Sequence, residues 1–259
     1  MATNIHPTAI IMPGATLGDN VEVGPYAYVG ADVTIGDGTT IAHHATVDGC
    51  TVMGRDNQVY PYAFVGGLTQ DKKYTGGKPG LRIGDRNIFR EFCSMHGATK
   101  EGDWTVIGNG NLFLAYSHVA HECIVGDNNI VSSHSALGGH AIIENHVNVG
   151  WNAGVHQFAR IGSHVMIGAC SKVAQDVPPF MLCDGSPAEC VTINKVGMRR
   201  CGYTEEEVNL ARSAYKTIFR ANLNRAQALE RLQAHPEAAT SRVLQALIKP
   251  MGESTRGIA

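Results

Sequence analysis

The chain has 259 residues, 44% hydrophobic and 17% charged but only 7% aromatic, enough to bury a substantial core in one or two domains. Lys and Arg number 21 against 23 Asp and Glu, and a formal net charge of -2 lacks the basic excess that nucleic-acid binding favours. No apolar run approaches the ~18 residues of a membrane span, and the opening MATNIHPTA has neither the basic nor the apolar region of a signal peptide, so a cytoplasmic protein with no membrane span is expected.

A six-residue period begins at Ile5 and runs through Ile11, Leu17, Val23 and Val29 as far as Val173. Of 29 positions on this phase, only Asp71, Gly77 and Glu101 are not apolar, where composition alone would leave about 13 apolar. A helix repeats near 3.6 and a strand at 2, so a strict six requires a chain that coils with a longer repeat. Gly often follows the aliphatic residue, as in Leu17-Gly18 and Val149-Gly150, and a small residue such as Ala27, Ala45 or Ala153 sits four after it. Both relieve crowding where a short strand turns a corner. The polar stretch 71–82, with Gly76-Gly77 and Pro79-Gly80, is predicted to leave the coil as a loop, and 101–104 as a smaller excursion. Long loops in a regular solenoid tend to carry function.

The period ends near Val177-Pro178-Pro179 and the pattern becomes helical. Thr204 with Glu207 forms a capping box ahead of an apolar face of Leu210, Ala211, Ala214, Tyr215 and Ile218. A second helix is predicted over 225–235, and a third from Pro236-Glu237 to about Ile248. The expected division is therefore 1–185, a β-coil with a loop insertion near 71–82, and 186–259, a C-terminal α-helical domain. Arg212, Lys216 and Arg220 make an i, i+4, i+8 basic stripe on the first helix of that tail.

Seven cysteines, odd in number and never spaced Cys-x-x-Cys, argue against a disulfide frame or a zinc ribbon. Histidine is more informative, with twelve in the chain and seven between 118 and 164. Taken singly, each is best read as a surface or stacking residue. Three strings rise above that: Tyr116-Ser117-His118-Val119-Ala120-His121-Glu122-Cys123, Leu137-Gly138-Gly139-His140 and Val155-His156-Gln157-Phe158. By spacing, His118 and His121 are also a possible metal pair.

The six-residue repeat resembles the hexapeptide-repeat family, which implies a left-handed parallel β-helix with three hexads per triangular coil. At ~4.8 Å between parallel strands such a prism would be roughly 45 Å long. The histidine strings, with Gln70-Asp71-Lys72-Lys73-Tyr74, Ile83-Gly84-Asp85-Arg86-Asn87, Ala174-Gln175-Asp176-Val177-Pro178-Pro179 and Ser254-Thr255-Arg256-Gly257, resemble the UDP-N-acetylglucosamine O-acyltransferases of lipid A biosynthesis. That resemblance implies a homotrimer with active sites between adjacent prisms and no metal or cofactor. It implies transfer of a 3-hydroxyacyl group from acyl carrier protein to the sugar 3-hydroxyl.

Attack of a hydroxyl on a thioester needs a base and a donor for the oxyanion. By the resemblance His121 is the base and the Gly139 N–H the oxyanion donor. An imidazole, with an ordinary pKa near ~6.5, is suited to take a proton at neutral pH. Asp71, Lys73, His118, His140 and His156 match substrate-binding positions, Gln157, Asn194 and Arg200 nucleotide contacts, and Ala169 the position that sets acyl-chain length. The chain has no Gly-x-Ser-x-Gly elbow, so direct transfer is the simpler mechanism. It departs from familiar members at Glu122 (Asp), Val196 (Glu) and Cys201 (Arg), and Met95-His96-Gly97-Ala98 lacks a common Arg. These changes leave N-acylation of a 3-amino UDP-sugar open. Two further readings are a zinc carbonic-anhydrase-like trimer, whose His pair five apart is absent here, and a non-catalytic sugar-nucleotide binder.

Overall fold

Most hexads contribute a strand of two residues, the first facing out and the second in. In Tyr28–Val29, Thr34–Ile35 and Thr40–Ile41 the second residue is at most 1% exposed. The computed structural model describes residues 3–259. Strands pair in parallel with those one coil further on, Asn4 with Glu22 and Glu22 with Thr40. Three sheets of eleven, nine and eight strands result, and the chain winds as a left-handed parallel β-helix of triangular section.

The corners follow from the backbone. The third residue after the inward aliphatic takes a positive φ, 62° at Tyr62, 52° at Glu122 and 60° at His140, an uncommon region for a residue with a Cβ. Hydrogen bonds between coils hold it there. On one corner the His140 N–H donates to the His121 carbonyl and the Phe158 N–H to that of Gly139, both at 3.0 Å. Side chains at successive corners therefore stand in vertical columns.

Inside, the aliphatic residues from Val23 to Val173 form a continuous core, with Phe89 stacked on Phe113 at 5.3 Å between centroids. Beside them runs a buried ladder of Asn57, Asn87, Asn111 and Asn129, each amide oxygen accepting the backbone N–H of the next rung or, at the last, of Val147. The phase survives both loops because each removes whole hexads: Val59 pairs with Phe89, and Phe89 with Phe113. Asp71, Gly77 and Glu101 fall in those loops. The first loop is shorter than its polarity predicts. Gly80–Ile83 is already a strand between Cys50–Met53 and Trp104–Ile107, because Leu81 is buried.

At the far end, Met181–Gly185 pairs with Met166–Ile167 and folds back on Ala188–Ile193, so a β-hairpin opens the segment expected to be helical. Four helices follow: α1 (Lys195–Arg200), α2 (Glu205–Phe219), α3 (Arg225–Gln233) and α4 (Arg242–Glu253). The Thr204 capping box opens α2 as predicted. The short α1 was not anticipated, and α4 starts at Arg242 rather than at Pro236. The reason is its cap: the Ser241 hydroxyl accepts the Leu244 N–H, and only from there do Val243, Leu244, Leu247 and Met251 share a buried face. Beyond α4 the chain returns to the prism, where the Ser254 hydroxyl donates to Asp176 at 2.7 Å. Among the described residues no helix is long and apolar enough to cross a membrane.

Candidate active site

One corner of the prism collects most of the candidates. Glu122, His140 and Phe158 follow one another up the column, and His121, Gly139 and Gln157 precede them by one residue. The His121 Nδ1 hydrogen-bonds Glu122 Oε2. A carboxylate only accepts, so Nδ1 carries the proton and Nε2 keeps its lone pair. Glu122 is fixed in turn, its Oε1 accepting the Thr99 N–H at 2.5 Å and its Oε2 the Thr99 hydroxyl at 3.1 Å. The His140 ring lies flat on Phe158, 4.5 Å between centroids, with Nε2 3.7 Å from Glu122.

Beside this pair, burial favours the neutral form of two other imidazoles, His96 and His118. Burial, then the neighbouring His118 and His121, hold His96 down at about 4. His118, whose Nδ1 shares a 2.8 Å hydrogen bond with Ser94, is lowered by burial and then by His121. Asp71 is lowered chiefly by the Lys73 N–H at 2.9 Å, and it lies close enough to His121 and His140 to interact electrostatically with both. Thus Asp71, Lys73, His118, His121, Gly139 and His140 meet at one place. His121, Glu122 and His140 also offer ligand atoms within 4.8 Å of one another. Two imidazoles and a carboxylate suit zinc. The set differs from the His118–His121 pair that spacing suggested, because His118 bonds Ser94 instead.

A family model described as "Udp N-acetylglucosamine O-acyltransferase; Domain 2" matches residues 176–259, and one described as "Bacterial transferase hexapeptide (six repeats)" matches 14–49 and 105–139. The acyl-(acyl-carrier-protein)-UDP-N-acetylglucosamine O-acyltransferase of Thiobacillus denitrificans is 42% identical over 259 residues, covering 100% of this chain and 99% of that protein. The enzyme so named from Paracidovorax citrulli is 48% identical over 262 residues, with 99% of each covered. The crystal structure of UDP-N-acetylglucosamine O-acyltransferase from Moraxella catarrhalis superposes with a TM-score of 0.93 at 37% identity, covering 98% of each chain. The chain belongs to the UDP-N-acetylglucosamine O-acyltransferase family.

Not every residue matched to that acyltransferase family lies on the His121 corner. His156 and Gln157 are one coil further along it and exposed, with the His156 Nδ1 3.2 Å from the Arg256 guanidinium. Ala169 stands on a second corner, the column of Tyr116, His134, Asn152 and Cys170, where the Cys170 N–H donates to Trp151. Asn194 is on the third, its amide donating to the His164 carbonyl at 2.9 Å while its Oδ1 caps α1. Arg200, Val196 and Cys201 are exposed on or just after that helix. Sequence reasoning missed Thr69, His96 and Thr99. A signal existed for the threonines: each falls four after an inward residue, Val65 and Met95, where the repeat elsewhere buries Ala27, Ala45 or Ala159.

Proposed function

We propose that the protein transfers a 3-hydroxyacyl group from acyl carrier protein to the 3-hydroxyl of UDP-N-acetylglucosamine, in lipid A biosynthesis, with His121 as general base. The observation that carries this reading is the His121–Glu122 pair. Its proton sits on the Glu122 side, so the free Nε2 can take the proton of the sugar hydroxyl as that oxygen attacks the thioester carbon. The Gly139 N–H, on the same corner one coil along, donates to the carbonyl oxygen as it becomes an oxyanion. Collapse of the tetrahedral intermediate breaks the C–S bond, and the imidazolium returns its proton to the departing thiolate. Glu122 stabilises the imidazolium in between.

The functional unit is a homotrimer. Base, Ala169 and Asn194 occupy three different corners of one prism, which a single chain cannot bring together, whereas corners of adjacent prisms meeting side by side would. In this arrangement residues 1–185 form the catalytic prism. Residues 186–259 contribute Asn194 and Arg200 to the nucleotide, with the exposed cations of α2 facing acyl carrier protein.

The test is mass spectrometry of products from a panel of acyl donors with UDP-N-acetylglucosamine and its 3-amino analogue. An O-acylated sugar nucleotide, lost in His121→Ala, is expected. Amide product alone would change the acceptor, and undiminished activity in His121→Ala would remove the base.

A further inference from the structure

The chemistry at His121 depends on where Glu122 points, and that is decided by two buried threonines, Thr99 bonded to the carboxylate and Thr69 behind it. Thr69 and Thr99 are 8% and 5% exposed. Their hydroxyls are 3.0 Å apart. Each hydroxyl has one proton, so the direction of every bond can be worked out. Glu122 can only accept, which commits the Thr99 proton to Oε2 at 3.1 Å. The Thr99 oxygen must then accept from Thr69, and the Thr69 oxygen accepts the Asp71 N–H at 3.1 Å. The result is one polar line, Asp71 N–H to Thr69 to Thr99 to Glu122, which meets the imidazole proton of His121 on the same carboxylate oxygen.

We propose that Thr99, backed by Thr69, is the positioning residue of the base, and that it couples the placement of the loop carrying Asp71 and Lys73 to the orientation of Glu122. The proposal rests on the reading of His121 as base. Thr99 holds both carboxylate oxygens, one through its N–H and one through its hydroxyl, so Glu122 has little freedom to swing away from His121. A shift of the loop that moved the Asp71 amide would pull on Thr69, and through Thr99 on the carboxylate. Substrate contact with Asp71 thereby favours the base geometry. Buried polar groups joined in this way are costly to leave half-paired, which makes the line directional and stiff.

Thr99→Val removes the hydroxyl, keeps the backbone N–H and nearly keeps the volume. It is expected to lower kcat roughly tenfold to a hundredfold with KM for the sugar nucleotide little changed. Losing a donor leaves more negative charge for the imidazolium, so the acid limb of the kcat profile should move to higher pH. The charged or titratable groups facing this pair are His96, His118, His140 and Asp71, none of them altered by the change. Thr99→Ser should restore both rate and profile. Thr69→Val leaves Glu122 bonded but uncouples the loop, and should give a smaller fall in kcat.

His121→Ala is measured alongside. If it is inactive while Thr99→Val shows wild-type kcat and pH profile, the positioning role is lost and the base stands. If His121→Ala is active, the base itself is wrong. A Thr99→Ser variant as impaired as Thr99→Val would also overturn the proposal, since packing rather than the hydroxyl would then be responsible. Should Thr99→Val not fold, Thr99→Ser and Thr69→Val decide: a Thr69→Val enzyme with unchanged kcat overturns the coupling.

Discussion

A Cβ on Gly139 would lie 2.5 Å from Cε1 and 2.6 Å from Nε2 of His121. The missing side chain at 139 is thus the space that the imidazole of 121, one coil below, occupies. No rotation of an alanine methyl relieves such a contact, so Gly139→Ala must displace the ring. The buried position and the intercoil hydrogen bond of its carbonyl stay as they are. The expected outcome is a loss in kcat of about a hundredfold or more with the fold retained, because misplacing a base by about 1 Å has that effect. Steady-state kinetics beside circular dichroism checks it, and near-wild-type kcat would mean that the ring seen here is not the reacting group.

Two buried histidines give the protein a pH-dependent stability. His96 is held at about 4 by burial and then by His118 and His121; His164 is held at about 4 by burial and then by His146 and Arg242. In the unfolded chain each returns to about 6.5. Between these values the unfolded state binds more protons, so stability is complete above about pH 6.5 and falls as the pH drops toward 4. The loss is roughly 3 kcal/mol per histidine at most. Urea denaturation at pH 7.5 and at pH 5 measures it. His164→Phe keeps a ring against Phe180 and removes the titration, so its stability should vary less with pH; an unaltered dependence would place the acid sensitivity elsewhere.

The cluster of His121, Glu122 and His140 separates acyl transfer from metal chemistry. A metal there would take either the free Nε2 lone pair or the place of the proton between Nδ1 and the carboxylate, and either one disables the base. Dialysis against a chelator is therefore expected to leave the transfer rate unchanged, and added zinc to inhibit reversibly. Inhibition should weaken in His140→Ala, measured relative to that variant's own rate. Activity that disappears on chelation and returns with zinc would instead identify a metal-activated nucleophile.

The prism was legible in the sequence because one residue in six must be aliphatic to fill it, and because both loops leave out whole hexads, Val59 and Phe89 still pairing in register. The asparagine ladder was not, since Asn57, Asn87, Asn111 and Asn129 are polar residues in buried places whose amide oxygens find their backbone donors only in the neighbouring coil. The hairpin Met181–Gly185 and Ala188–Ile193 was hidden by the end of the period, which marks the end of coiling rather than of sheet. The site was less legible than the fold. Corner positions carry rings with no bearing on the base, as in the column of Tyr62, Phe92, Tyr116 and His134, whose neighbours stack at about 5 Å. Locally, His121 looks no different from these. What distinguishes it is Glu122 held by Thr99 from one neighbouring coil and the vacancy at Gly139 in the other, which only the coiled structure assembles.

On α2 the basic stripe is reduced by folding. The Arg220 Nε donates to the Tyr215 hydroxyl at 2.9 Å, while Arg212 and Lys216 remain exposed, Arg212 bonding only the neutral Asn209. These two are the cations free to meet an acidic carrier protein. Reversing both to Glu is expected to raise KM for acyl carrier protein about tenfold at low salt and less at high salt, with kcat and the sugar-nucleotide KM unchanged. An acyl-pantetheine donor, which lacks the protein, should be used equally well by both forms. Equal KM values for the carrier protein would reject this dock.

Ala169 and His121 stand on different corners of one prism, so in the trimer proposed above a chain-length determinant at 169 acts on the base at 121 across a subunit boundary. Ala169→Gly removes one methyl and should shift the preferred acyl chain upward, with each added buried methylene worth roughly 0.8 kcal/mol, about fourfold in preference. Competition among donors of graded length reads this. Mixed trimers give the sharper result. Subunits carrying His121→Ala together with Ala169→Gly have no base of their own, so any product made in a trimer mixed with wild-type chains comes from a wild-type base. If the neighbour supplies residue 169, those products are expected to include the longer chains. If wild-type length persists in every mixture while the all-Ala169→Gly trimer makes longer product, residue 169 acts within its own chain and the boundary site is wrong.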